Sequence, residues 1–404
     1  MKLAECKKHY CVETQRAVAP ETTLARAEAV LPRAGITRVA DITNLDRIGI
    51  PVFSSIRPTA ENGAISVYNG KGATPLEARV SAVMEGIERY CGEVRDHPVF
   101  TGSYDDIAGD RNALDPADLI LPAASDRGQE LPWVSGWDIV ADEEIAVPAH
   151  AVFHPLGHPS RLFRTNTNGL ASGNTREEAV FHALMEVIER DAWSLVEATR
   201  NTGPRVDSID EGIGADLLRR FRDASVDVVI KDITSDIGIP TIAAVADDVL
   251  LQDPALLTIG MGSHTNAAIA LLRALTEVAQ SRLTQIHGAR EDTTEADFRK
   301  KLGYERTKRL NRYWFDGRGE VAFSSIASFD SDDFLTDIRH VLALLGRAGL
   351  DRVIAVDLTR EEIGIPVVRV IVPGLEVFAV DQERVGQRCR DARRGRLSRA
   401  ELQP

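Results

Sequence analysis

Cysteine is scarce in this chain: there are four in 404 residues, Cys6, Cys11, Cys91 and Cys389. None forms a C-x-x-C pair, so a zinc ribbon is excluded, and so few thiols in so long a chain predict a reduced, cytoplasmic setting. Long apolar runs are also missing. No stretch of eighteen apolar residues occurs, which argues against a transmembrane helix, and MKLAECKKHYC at the N-terminus lacks the apolar region of a signal peptide. Positive charge is in deficit. With 48 Lys and Arg against 61 Asp and Glu the net charge is −13. Such a chain repels nucleic acid and anionic membrane, so neither is expected as a partner, although a local cluster can still hold an anion. The signatures G-x-S-x-G, H-E-x-x-H and the Walker A pattern are absent, and GMGSHTN (260–266) has G-x-G without the third glycine of a dinucleotide fingerprint. His150, His154 and His158 recur every four residues, but Pro148, Pro155 and Pro159 interrupt them, so this stretch reads as a loop rather than a metal-binding helix face. His182 reads as a packed or partly exposed histidine. What remains is 44% apolar and 27% charged, globular proportions with enough chain for a large core.

Two kinds of repeat are present. The first is AGITRVADITNLDRIGIP (Ala34 to Pro51), ASVDVVIKDITSDIGIP (Ala224 to Pro240) and AGLDRVIAVDLTREEIGIP (Ala348 to Pro366). Each has a β-branched run, D-x-T, a polar stretch and I-G-I-P, and a second apolar run follows. This predicts a strand–loop–strand unit three times over. Helices are predicted before two copies. One is at Ala215 to Ala224. The other would be capped by Ser331, carry Leu335, Ile338, Val341, Leu342 and Leu345 on one face, and end at Gly349.

The second repeat pairs TPLEARVSAVMEGIER (Thr74 to Arg89) with TREEAVFHALMEVIER (Thr175 to Arg190), identical at nine of sixteen positions at a constant offset of 101. A weaker copy, AIALLRALTEVAQSR, runs from Ala268 to Arg282. Three hairpins and three helices suggest a pseudo-threefold α/β layer structure, but their order leaves open which helix joins which hairpin. Both strong copies open with T-x-x-E, the pattern of a capping box in which the Thr hydroxyl takes the N3 amide and the Glu reaches back.

Glu85/Glu88 and Glu186/Glu189 lie inside apolar stretches, at i and i+3 on one helix face. A solvated face with local Glu–Arg pairing would explain a single copy. The recurrence in two units instead predicts four converging carboxylates, which need a cation or protons. All-oxygen ligation selects hard cations, Mg²⁺ when phosphates complete the shell. Gly-rich loops precede both helices, VYNGKGATP and TNTNGLASGNT, and would let backbone approach a ligand closely, or serve as ordinary turns.

NGKGATPLEARVSAVMEGIERY, NGLASGNTREEAVFHALMEVIERDA, LLRALTEVAQSRL and IPVVRVIVPGLE, in that order, resemble the YcaO family over about Arg38 to Glu376. The resemblance implies an α/β YcaO-like fold of pseudo-threefold β-hairpin/helix units with helices packed on sheet. The chain is read as a single unit, 1–404, with a motif-bearing core of about 38–376 and extensions 1–37 and 377–404. It further implies an ATP- and Mg²⁺-dependent enzyme that O-phosphorylates a peptide backbone amide, usually as a homodimer. Carried over by position, Glu85, Glu88, Glu186 and Glu189 match Mg²⁺-binding and catalytic glutamates. Arg190 matches a catalytic and nucleotide residue, and Asn174, Glu178, Arg273 and Glu277 match nucleotide-site positions. Gln280 and Arg282 complete the motif and are placed with the nucleotide. Lys71 lies in the matched loop without an assigned role, and the family's N-terminal nucleotide contacts do not align.

Azoline-forming members typically end in a P-x-P-x-P tail, whereas this chain ends RLSRAELQP, and no fused leader-binding domain is expected. These departures tip the expectation towards backbone thioamidation of a peptide or protein, with an external sulfur donor and a TfuA-like delivery partner. An azoline-forming cyclodehydratase and a non-catalytic accessory protein are the alternatives.

Overall fold

The computed structural model describes residues 1–397 apart from 124, 127, 159, 160, 292, 293 and 318; Pro159 and all but the first two residues of RLSRAELQP lie outside these. The first repeat unit is β1 (Arg38–Asp41), β2 (Val52–Ile56) and β3 (Val67–Lys71), an antiparallel sheet that leads into α1 (Pro75–Cys91). Next in the chain, β4 (Leu170–Ser172) leads into α2 (Arg176–Thr199). The second unit is β5 (Val226–Asp232), β6 (Thr241–Asp248) and β7 (Thr258–Ser263), leading into α3 (Ala267–His287). Last come β8 (Ile354–Asp357) and β9 (Val367–Ile371), which form the third hairpin. β9 pairs with β4, Val367 opposite Ser172, and so joins α2 to the third hairpin across nearly half of the chain. The assignment that sequence order left open is thus α1 with the first hairpin, α3 with the second and α2 with the third.

The D-x-T and I-G-I-P signatures have one structural cause in all three copies. Asp41, Asp232 and Asp357 end their strands, and each Oδ1 accepts the amide of the following Thr43, Thr234 or Thr359 at 2.9, 2.9 and 3.0 Å. That is an Asx turn. Each Thr hydroxyl in turn accepts the amide that opens the second strand, from Val52, Thr241 and Val367 at 3.1, 3.1 and 3.2 Å. The I-G-I-P glycines, Gly49, Gly238 and Gly364, have φ of +71°, +82° and +67°, where a Cβ is strained.

Thr74 and Thr175 cap α1 and α2, accepting from Glu77 N and Glu178 N at 3.3 and 3.2 Å, and Asn266 caps α3. The second half of the expected capping box is not made. The Glu77 and Glu178 carboxylates turn instead to Tyr10 and to Ala17 and Asn174. The helix expected to start at Ser331 is capped by Asp333, whose Oδ1 takes Thr336 N at 2.9 Å, and runs Phe334–Arg347. The shorter predicted helix spans Gly212–Asp223 and buries Leu217 and Phe221.

Apolar faces fix these helices on the sheets. α2 buries Val180, Leu184 and Ile188 in one cluster with Val368 and Val370 of β9 and with Ile338 and Val341. α3 buries Leu271, Leu275 and Val278 against Val226, Ile230 and Ile242. Each such side chain contributes about 1.5–3 kcal/mol. Glycines in the strands before α1 and α3 serve this contact. A Cβ on Gly70 would meet Ala82 N at 1.8 Å, and one on Gly262 would meet Ala270 O at 2.1 Å. Among the described residues no helix is long and apolar enough to cross a membrane.

Candidate active site

The three helices surround a cleft of about 620 Å³. They close it by reaching round to one another. Glu88 of α1 accepts Ser172 N, at the end of β4, at 3.0 Å; Glu189 of α2 accepts Ser263 N, at the end of β7, at 3.1 Å; Gln280 of α3 donates to Asn69 O on β3 at 2.6 Å. Each helix therefore ties down the strand that feeds the next helix, and the cycle returns to its start. Glu85, Glu88, Glu186, Glu189, Arg190, Asn174, Glu178, Arg273, Glu277 and Gln280 all line this one cleft.

The electrostatics are those of crowded carboxylates. Burial, with Glu85 and Glu186 nearby, pushes Glu88 well above the ordinary carboxylate range; burial, with Glu189, also raises Glu186. Two arginines restrain them. Arg89 pairs with Glu85 at 2.8 Å, and Arg190 lies 4.0 Å from Glu186 and 3.7 Å from Glu189. On the third helix Glu277 is half-buried, yet Lys71 and Arg190 hold it below its ordinary value, and it forms an ion pair with Lys71. Arg273 Nε is buried without a partner. In this arrangement, among the described residues, no three His, Cys, Asp or Glu side chains are gathered closely enough to cage an ion. Arg89 and Arg190 lie against three of these carboxylates instead. The donor set still fits a hard cation, since it is all carboxylate oxygen.

The family model for YcaO cyclodehydratases, ATP- and Mg²⁺-binding, matches residues 69–376. The chain belongs to the YcaO family. An uncharacterized protein of Methanothermobacter thermautotrophicus is 53% identical over 93% of this YcaO chain and 99% of its own. A second relative, an uncharacterized protein in the tfuA 3′ region of Rhizobium leguminosarum bv. trifolii, is 32% identical over 94% of this chain and 93% of its own. Among solved structures, YcaO from Methanopyrus kandleri bound with AMPPCP and Mg²⁺ superposes with a TM-score of 0.80 at 32% identity, covering 95% of this chain and 98% of that one.

Within this YcaO chain one expected nucleotide residue stands elsewhere. Arg282 is fully buried and bound to Asp46 at 2.8 Å and Asp248 at 3.0 Å, away from the cleft. The helical phase accounts for it. Arg273, Glu277 and Gln280 share a face, and Arg282, nine residues after Arg273, points the opposite way. Conversely, the N-terminal extension supplies cleft residues that no local pattern announced. Tyr10, Glu13, Thr14, Arg16 and Thr23 line the cavity. Ala17 N donates to Glu178 at 2.9 Å and Thr23 Oγ1 to Asn174 Oδ1 at 2.9 Å, so the two predicted nucleotide residues also hold this segment. Glu77 faces Tyr10 and Glu13, and burial together with Glu13 raises it to about 7. His182 lies on the cleft beside Arg16; burial and the Arg16 charge keep it well below its ordinary value, so it stays neutral. His150 is buried in a short 3₁₀ turn, 149–151, and His154 Nδ1 meets Thr165 Oγ1 at 3.0 Å, consistent with a loop.

Proposed function

We propose that this YcaO protein binds Mg²⁺ and ATP in the helix-lined cleft and activates a peptide backbone amide for replacement of its oxygen by sulfur. The observation that carries the reading is that Glu85, Glu88, Glu186 and Glu189 line a single cavity with Arg190 and with Arg273, whose buried Nε has no partner. The Methanopyrus kandleri relative, bound with AMPPCP and Mg²⁺, supports it. When bound, the metal and nucleotide supply charge neutralisation and a phosphoryl group that makes the amide oxygen a leaving group.

The chain's own residues do the positioning. The four glutamates hold the cation charge. Arg273 offers its free Nε–H to an anionic oxygen, and Arg190 stands between the glutamates and Glu277, where developing negative charge is offset. Asn174 and Glu178, anchored on the cap of α2, orient the nucleotide beside the N-terminal segment, with Glu277 and Gln280 on the facing helix. That segment's share in the cleft wall supports treating 1–404 as one functional unit.

In the thioamide reading a hydrosulfide adds to the carbonyl carbon, the oxygen takes the γ-phosphoryl group, and phosphate leaves as the C=S bond forms. The place of the Rhizobium relative beside tfuA supports this branch and a TfuA-like partner that delivers the sulfur. Mass spectrometry of a candidate peptide after incubation with enzyme, Mg²⁺, ATP and sulfide tests it. Oxygen-for-sulfur exchange with matching ADP release is expected. Loss of water that depends on a Cys, Ser or Thr side chain would replace the reading with azoline formation. Nucleotide binding without turnover in the presence of peptide and partner would leave an accessory protein.

A further inference from the structure

Behind one wall of the cleft lies a second cavity of about 60 Å³. The two share a single layer of chain: Thr167 and Glu186 face the cleft, while their neighbours Asn166, Asn168 and Val187 face the small cavity. The rest of its lining includes Arg369 on β9 and Arg384, each only 5% exposed. Among the described residues neither guanidinium has a carboxylate partner. Arg369 donates to Asn166 O at 3.0 Å and Asn166 Oδ1 at 3.3 Å, and its Nε is buried with no acceptor. Arg384 donates to Ile120 O at 2.8 Å and to Leu119 O, and lies over the Phe163 ring at 3.8 Å. All these partners are neutral. Burial lowers both groups, Arg369 to about 9 and Arg384 to about 10, with Arg384 adding like charge to Arg369. A guanidinium cannot shed its proton near neutrality, so two buried positive charges line one cavity and, among the described residues, neither is in an ion pair; Asp381 and Glu376 act on Arg384 only through space. Asp118, at the open edge, is exposed. Glu186 and Glu88 act on Arg369 only through space, from the cleft side.

We propose that this cavity binds a small inorganic anion between Arg369 and Arg384, with the Asn168 amide as the third contact. Asn168 Oδ1 is buried and unpartnered, and a half-turn of the terminal amide presents its N–H groups instead. The space admits an ion of a few atoms and excludes a nucleotide or peptide. Chloride, hydrosulfide and phosphate share the required chemistry. A coupling follows that rests on the Mg²⁺ reading: once Glu186 and Glu88 are committed to a cation, Arg369 loses their field and the anion is held more tightly. By reciprocity, the anion then strengthens metal binding.

Chloride NMR line broadening on the full chain, at constant ionic strength in gluconate and with AMPPCP and Mg²⁺ present to fill the cleft, reads the site directly. Excess broadening is expected, and competition with bromide, hydrosulfide or phosphate identifies the preferred ion. Asn166→Asp places a carboxylate where Oδ1 already meets Arg369, and should abolish most of the broadening while the melting temperature holds or rises. Arg384→Gln should do the same from the other wall. Broadening equal to wild type in a folded Asn166→Asp protein overturns the site, as does broadening that nucleotide alone removes. Repeating the titration without nucleotide in Glu186→Gln separates the two readings: there the anion site persists even if metal binding is lost.

Discussion

Glu186→Gln removes one negative charge from the cleft with almost no change in volume. In the ligand-free protein the effects nearly cancel. The variant loses a loose contact to Arg190 at 4.0 Å and relieves repulsion from Glu189 one turn away. Terms of this kind amount to a few tenths of a kcal/mol each, so the unliganded fold should change by less than about 1 kcal/mol. Ligand linkage is larger. At a free concentration one hundred times Kd, Mg²⁺–AMPPCP should stabilise the wild type by about 2.7 kcal/mol. Spread over the unfolding entropy of a chain this long, that raises Tm by about 3 °C. Loss of a hard anionic ligand should weaken binding by at least about a hundredfold, which removes nearly all of that shift. Differential scanning fluorimetry with and without Mg²⁺–AMPPCP, and calorimetric titration of the folded variant, measure both quantities. A folded Glu186→Gln protein with wild-type nucleotide affinity would refute the assignment of the glutamate pairs.

Arg282→Met breaks a fully buried pair with Asp46 and Asp248, so it should destabilise the fold by about 3–5 kcal/mol in denaturant titration while surviving folded protein binds nucleotide normally; a stable variant that has lost nucleotide affinity would place Arg282 in the cleft after all. Thr74→Ala deletes the cap on α1 and should cost about 1 kcal/mol, with turnover per folded molecule unchanged. If turnover collapses and stability does not, the hydroxyl is functional. Glu77 retains its proton up to about 7 in the fold, against an ordinary 4.5. The folded state therefore binds more protons between those values, and the stability this contributes is present at low pH and is lost as pH rises through 7. Denaturation measured from pH 5 to 8 should show a decline on the order of 2 kcal/mol that Glu77→Gln flattens, and an equal decline in the variant would assign the effect to other groups.

Much of the fold was legible because its signals are local. The D-x-T turn and the I-G-I-P glycine close their hydrogen bonds within about a dozen residues, and the spacing of Ile338, Val341 and Leu345 states which helix face is buried. Repetition made the glutamates legible: one E-x-x-E-R is a solvated face, and two in corresponding units are a site wall. The phase of α3 also held the correct reading of Arg282, half a turn from Arg273, although the motif as a string concealed it. The capping box was half right, because the Thr hydroxyl answers to its own helix whereas Glu77 and Glu178 answer to the N-terminal segment folded across them.

By itself the sequence determined three strand–loop–strand units, three capped helices and two carboxylate pairs, because each depends on backbone turns, caps and side-chain faces that span a few residues. Only the tertiary structure decided that α2 completes the third hairpin through β4 and β9, that each helix reaches across to the next unit's strand, and that residues 10–23 wall the cleft. It alone showed that Arg282 is paired with two carboxylates whereas, among the described residues, Arg369 and Arg384 form no ion pair. These outcomes depend on contacts between segments far apart in the chain, selected by the burial of apolar surface over the whole molecule, and no short window of sequence contains both partners.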